Sequence, residues 1–235
     1  MTVVQQIVYS EYPATWWKLA EALGFVAPFP PTPGWSEFHS DGVLAVRTAT
    51  PEHRPGMTDI HLIVEDLDAA ASALSKFKTA PISMEGVKEM LVVRAASGIS
   101  ISVSEGAAQG GVGDAAVQPI WFQEDLTEPR AILEALGFRG GIVADRGGWI
   151  EMLGGGGSVG LHAVDADAPE PKIGLSFDAR GDLDALVSRL QDAGFAASIV
   201  DEAFTRTVRV ADPDGGDDVW INGAQNDLHG YHRES

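Results

Sequence analysis

Apolar residues in this chain alternate in short runs, then fall into helical spacing, and the two patterns succeed each other four times. Residues 5–9 read as a strand. Residues 13–23 read as a helix, with Trp16, Leu19, Ala20 and Leu23 on one face, Pro13 at its start and Gly24 as a stop. Short strands follow at 35–38 and 43–48, joined through the turn Ser40-Asp41-Gly42. The order then restarts, with a strand at 60–64, a helix at 67–77 and strands at 88–94 and 99–103. It restarts again at 118–122, 128–136, 149–153 and 159–163, and once more at 173–177, 183–194, 206–210 and 219–222.

The halves also repeat each other in letters. Glu21-Ala-Leu-Gly-Phe25 recurs as Glu134-Ala-Leu-Gly-Phe138. Gly34-Trp-Ser-Glu37 recurs as Gly148-Trp-Ile-Glu151, and Asp66-Leu-Asp-Ala69 as Asp182-Leu-Asp-Ala185. Three matches in one order at a nearly constant offset indicate two homologous units. The boundaries expected from this are a first domain at 1–105, a Gly-rich linker at 106–116, a second domain at 117–223 and a polar, solvated tail at 224–235.

Four strand–helix–strands units, paired into two halves, resemble the vicinal oxygen chelate superfamily, which includes glyoxalase I, extradiol dioxygenases and bleomycin-binding resistance proteins. The residues that carry the resemblance are Ala22-Leu-Gly-Phe25, the stretch from Glu65-Asp-Leu-Asp-Ala69 to Leu74, and Ala211-Asp-Pro-Asp-Gly-Gly-Asp-Asp-Val-Trp-Ile221. The resemblance implies an α+β fold of four βαβββ modules. These form two glyoxalase-like domains with cupped mixed sheets and helices on the outside.

It also implies where a metal would sit. Enzymes of the superfamily hold a divalent metal with His or Gln on a module's first strand and Glu on its last. Strand parity locates those positions here, because alternate residues face opposite sides of a sheet. In the second module they fall at Asp59, with His61 beside it, and at Ser102. In the first they fall near Val4, with Gln5 or Gln6 adjacent, and at Ala45 or Arg47. In the second half they fall near Val117 or Gln118 and at Lys172, and at Gly160 or His162 and Trp220. A protonated lysine cannot ligate a metal, and a two-His, one-carboxylate iron triad is missing at these places. No cofactor is therefore expected. A divalent metal at Asp59 and His61 with Gln5 or Gln6 is the alternative.

Composition narrows the partners. The 235 residues carry a net charge of −18, which disfavours nucleic acid and anionic membranes. Residues 112–235 hold 22 Asp+Glu against 9 Lys+Arg, so most of the charge belongs to the second half. Without cysteine there is no disulfide, thiolate metal site or thiol nucleophile. The absence of a long apolar run or a signal-like N-terminus fits a cytoplasmic protein. Four modules can complete both cups within one chain, so a monomer or a homodimer is expected. The Asp212–Asp218 stretch reads as a hairpin turn, since it lacks the Gly and Glu positions of a calcium loop.

The function expected is metal-free binding of an aromatic or cationic small molecule in a Trp-lined cup. The contact candidates are Trp35, Arg47, Asp59, Ser102, Trp121, Trp149, His162 and Trp220. Parity is taken to turn Trp121 and Trp220 into the second cup, with Ile120, Phe122, Val219 and Ile221 on the other face. The alternative is a glyoxalase-like lyase or isomerase, or a dioxygenase, using a divalent metal or His61 as general base beside Asp59.

Overall fold

The structure is a computed structural model that describes residues 1–84, 87–107, 113–165, 170–202 and 205–234. The first module contains β1 (Val3–Ser10), α1 (Pro13–Ala22), β2 (Ser36–Ser40) and β3 (Gly42–Thr48). The second contains β4 (Thr58–Val64), α2 (Leu67–Ala73), β5 (Lys78–Met84), β6 (Val87–Arg94) and β7 (Ser100–Glu105). Together they form one seven-stranded sheet in the order β2-β3-β1-β4-β7-β6-β5. The first strands of the two modules, β1 and β4, lie antiparallel at its middle.

The second half repeats this plan. Its third module has a first strand in two pieces, β8 (Ala115–Val117) and β9 (Ile120–Gln123), then α3 (Thr127–Ala135), β10 (Arg139–Ala144), β11 (Trp149–Leu153) and β12 (Ser158–Ala163). Its fourth has β13 (Lys172–Gly174) and β14 (Ser176–Ala179), then α4 (Leu183–Asp192), β15 (Ala197–Asp201), β16 (Arg206–Val210) and β17 (Val219–Asn222). A last strand, β18 (Tyr231–Arg233), follows. Val117 pairs with Phe177 and Trp121 with Ile173, which is one antiparallel register. The ladder breaks between these pairs because Pro119 has no N–H to donate. The break divides the strands into a six-stranded and a five-stranded sheet.

The helices lie outside the sheets, and repeated letters explain their starts. Asp66 and Asp182 cap α2 and α4, each side chain accepting from the backbone N–H three residues on, at 2.8 and 2.9 Å. Helix α1 has no such cap of its own. Asp214, in the turn of the fourth module, reaches across and accepts from Glu11 N (2.7 Å), Ser10 Oγ (3.0 Å) and Trp16 Nε1 (2.9 Å). The Asp212–Asp218 turn thus ties the second half to the first. At the opposite junction, Ser97 Oγ donates to Gln123 Oε1 at 2.8 Å and Ala96 N to Glu128 Oε2 at 2.8 Å. Gly42 allows a close approach at the same seam: its φ is +86°, and a Cβ there would lie 2.3 Å from Val117 Cγ2. One continuous apolar core results, holding Trp16, Phe38, Leu62, Trp121, Ile132 and Phe177.

Several expectations need correction. The strand after each helix (β5, β10, β15) has little apolar alternation: β5 carries Pro81, and β10 carries Gly140 and Gly141. In the first module that strand shrinks to a single bridge between Val26 and His39, because prolines 28, 30, 31 and 33 follow at once. The helix expected at 67–77 ends at Ala73. The central residues of the expected linker, 108–112, lie outside the described residues, and its end is strand β8. The C-terminal stretch is largely exposed, but its end is folded. Strand β18 pairs with β10, and the Glu234 carboxylate accepts from Arg130 Nη1 (3.0 Å) and Nη2 (2.7 Å).

Candidate functional site

In each half the expected cup corresponds to the face of the strands away from the helices. In the first, register sets Gln5 opposite His61 and Ile7 opposite Asp59. The matching ladder of the second half makes Gln118 the counterpart of Gln5 and Ser176 the counterpart of His61, with Gln118 N bonded to Ser176 O at 3.1 Å.

The first cup spends its polar groups on each other. His61, 7% exposed, has Nδ1 2.8 Å from Ser102 Oγ and Nε2 2.8 Å from Ser104 Oγ. Burial pushes its pKa down to about 4, against the pull of the Glu37 charge. A neutral imidazole gives a proton to one hydroxyl and takes one from the other. His61 therefore has neither a spare nitrogen nor much basicity. Asp59 does not meet His61 in a hydrogen bond; it accepts from Tyr9 Oη at 2.8 Å. Burial, and then the Asp59 charge, raise the Tyr9 phenol well above its ordinary value. Glu37 accepts from Trp35 Nε1 (3.0 Å) and Gln5 Nε2 (3.3 Å) and lies 3.3 Å from His39 Nε2. Arg47 stays exposed at the rim.

The second cup has two unlike parts. One is a polar floor. Asp178 Oδ2 accepts from Gln118 Nε2 at 2.7 Å and from Ser158 Oγ at 3.4 Å. Asn222 Nδ2 donates to Ser176 Oγ at 3.2 Å, and Thr207 Oγ1 to Asn222 Oδ1 at 3.2 Å. Burial pushes the Asp178 carboxyl up to about 8, the Glu151 and Asp41 charges adding to the rise and Arg180 and the Ser158 bond opposing it. Arg180 is itself paired with Asp41 of the first half.

The other part is an aromatic wall laid on glycines. A Cβ at Gly160 would come 2.4 Å from the Trp149 indole, and one at Gly174 2.7 Å from the Phe122 ring. His162 stands beside both rings, with centroids 5.3 Å from Phe122 and 6.1 Å from Trp149. Across the cup Trp220 is partly buried, and the Arg209 guanidinium lies 4.4 Å from its ring while donating to Glu202 Oε1 at 2.9 Å.

Of the aromatics expected here, Trp121 is on the wrong face. It is 0% exposed in the helix-side core, and its Nε1 donates to Gln123 Oε1 at 2.8 Å. Ile120-Trp121-Phe122 is apolar throughout, so alternation carried no signal. The largest ring took the core and Phe122 turned into the cup. Sequence reasoning also passed over Asp178, Glu151 and Arg209. Asp178 had a visible signal, as the single acid in the strand residues Ser176–Ala179.

The donors do not fit a divalent transition metal. Among the described residues no group of three or more His, Asp or Glu side chains is gathered for one. The central positions are two amides, one imidazole with both nitrogens engaged, and one hydroxyl, where such a metal wants several imidazole or charged donors.

No family model matches the chain, and no curated protein matches it. Solved structures do. A catechol 2,3-dioxygenase aligns at 13% identity and TM-score 0.64, covering 98% of this chain and 94% of its own. The 2,2',3-trihydroxybiphenyl 1,2-dioxygenase of Sphingomonas wittichii strain RW1 aligns at 12% and 0.63, covering 98% and 93%. The Mn(II)-bound glyoxalase of Novosphingobium aromaticivorans aligns at 14% and 0.58, covering 95% and 81%. What the chain shares with these extradiol dioxygenases and this glyoxalase is the glyoxalase-like fold, consistent with the vicinal oxygen chelate architecture.

Proposed function

We propose that the protein binds a small organic molecule in the second cup without a metal. The observation that carries this is the pairing of an aromatic wall with a hydrogen-bonded floor: Trp149 and Phe122 pack against Gly160 and Gly174, on the same face as the Gln118–Asp178–Ser158 cluster. Apolar walls with a few fixed polar groups are what small-molecule sites require. The aromatic part supplies contact area and the floor fixes orientation. The acidic second half favours a ligand that is neutral or cationic. Gln118 is 3% exposed, so a ligand reaches the floor by displacing rim side chains, and Arg209 over Trp220 is placed to move.

The test is calorimetric and optical. Bleomycin, ethidium and phenanthridine are titrated into the protein while tryptophan emission is followed. Saturable quenching at micromolar or tighter affinity, reduced in Trp149→Ala and Trp220→Ala, is the expected result. Absence of heat and quenching across the panel would sink the proposal. So would stoichiometric iron, manganese, nickel or zinc in the purified protein that is needed for binding.

A further inference from the structure

We propose that Asp178 is the proton-exchanging group of this cup, so that an organic cation is bound with release of one proton from its carboxyl. The inference rests on the binding reading above and names the ligand class and the residue that meets its charge.

The geometry singles out this carboxyl. Its Oδ2 is fixed by Gln118 and Ser158. Its Oδ1 makes no hydrogen bond among the described residues, and the residue is only partly buried. One oxygen is therefore held and the other is offered. The charged groups that face it come from several elements. Glu151 on β11 and Asp41 in the β2–β3 turn disfavour its ionisation, and Arg180 favours it. Arg209 on β16 is already paired with Glu202, and Asn222 on β17, in register with Asp178, is neutral. Burial and the neighbouring carboxylates leave Asp178 protonated near neutral pH, and that proton stands where a positive charge would be stabilised. A ligand cation held beside Asp178, with its rings toward Trp149, supplies that charge, and the proton leaves.

Linkage fixes the consequence. With the carboxyl titrating near 8 in the free protein, affinity for a permanent cation rises about tenfold per pH unit from pH 6 toward 8 and then levels. Ethidium, whose charge does not titrate, is the probe, and phenanthridine is its uncharged counterpart. Calorimetry at pH 7 in phosphate and in Tris, buffers of different ionisation heat, gives the number of protons exchanged. The expected result is release of about one proton per ethidium, none with phenanthridine, and none with Asp178→Asn, whose affinity no longer changes with pH. Ethidium binding without proton exchange, or with proton uptake, overturns the inference and leaves the binding reading standing. If no member of the panel binds, the binding reading falls and takes the inference with it.

Discussion

Replacing Asp178 with asparagine changes how stability depends on pH, with or without a ligand. The carboxyl titrates near 3.8 in an open chain and near 8 in the fold. Between those values the native state keeps a proton that the unfolded state has lost. Stability therefore falls as pH rises through this window, being fully present below about 4 and gone above about 8. His61 works in the opposite sense. Its folded value near 4 lies below the ordinary 6.5, so its share of stability is lost as pH falls from 6.5 to 4. The two oppose each other in acid, and above 6.5 Asp178 acts without that opposition. The remaining interval is about 1.5 pH units, or roughly 2 kcal/mol at ~1.4 kcal/mol per unit. For a chain of this size that is a drop of about 4–8 °C in melting temperature between pH 6.5 and 8.5. Asn has the shape of the protonated acid and no charge to bury, so Asp178→Asn should stay level over the same range and be the more stable protein at pH 8.5. Thermal scans and urea titrations at constant ionic strength measure this. The background from the −18 net charge is common to both proteins. Parallel profiles for wild type and variant from pH 6.5 to 8.5 would refute the reasoning.

Three further outcomes follow from the same geometry. Asp214→Ala removes three hydrogen bonds at the start of α1 and leaves the Trp16 N–H without its partner; a loss of roughly 2–3 kcal/mol in urea is expected, and a loss under ~0.5 kcal/mol would count against Asp214 as the tie between the halves. His61→Gln keeps polar contact with the Ser102 and Ser104 hydroxyls but cannot charge, so the variant should gain up to ~3 kcal/mol relative to wild type as pH falls from 6.5 to 4; a difference that stays constant over this range would show that His61 ionises freely. Gly174→Asp places a carboxylate against the Phe122 ring, and adding Phe122→Tyr should recover at least ~1 kcal/mol of what it costs, whereas additivity within ~0.5 kcal/mol would show that the two positions are not coupled.

Much of the fold was legible because repetition is robust to local ambiguity. The repeated Glu-Ala-Leu-Gly-Phe and Asp-Leu-Asp-Ala mark helix ends and helix starts, so the four modules stand out even where single strands are weak. The weak strands were the ones missed. Strand β5 holds Pro81 on an edge, and β18 is three polar or aromatic residues whose place depends on β10 and on Arg130. Nothing local in Tyr231-His-Arg233 announces a strand. The cups were legible to the extent that alternation was. Trp220 sits between Val219 and Ile221, both buried, and parity placed it correctly. The run Ile120-Trp121-Phe122 offers no alternation, and there the side chain that wins the core is decided by volume and by Gly174 on the neighbouring strand. Sequence spacing likewise put Asp59 and His61 on one face, but their partners come from other strands: Tyr9 for Asp59, and Ser102 and Ser104 for His61.

The differences between the two cups are correlated, and they favour the second as the place of the proposed ligand. By register Phe122 stands where Tyr9 does, and Gly174 where Asp59 does. In the first cup that pair is a phenol bonded to a carboxylate. In the second the hydroxyl and the carboxylate are both gone, and the edge of the ring packs against Gly174. Gly160 takes the place of Ala45 in the same way, each paired with the glutamate of its Gly-Trp-x-Glu repeat, and Trp149 settles over it. Each change removes a polar or bulky group from beside a ring, leaving a wall of Phe122, His162 and Trp149 with Lys172 Nζ 5.6 Å from the Phe122 centroid. The change at the centre runs the other way, since the imidazole of His61 gives way to the smaller hydroxyl of Ser176, which admits Asn222 and leaves Asp178 bonded to Gln118 and Ser158. A cup that serves only as a scaffold has no use for a carboxyl that is costly to ionise where its counterpart holds a satisfied pair such as Tyr9–Asp59. An unfavourable buried acid beside a cleared aromatic surface is the arrangement expected where a ligand, absent from the energetics of the empty fold, completes the balance.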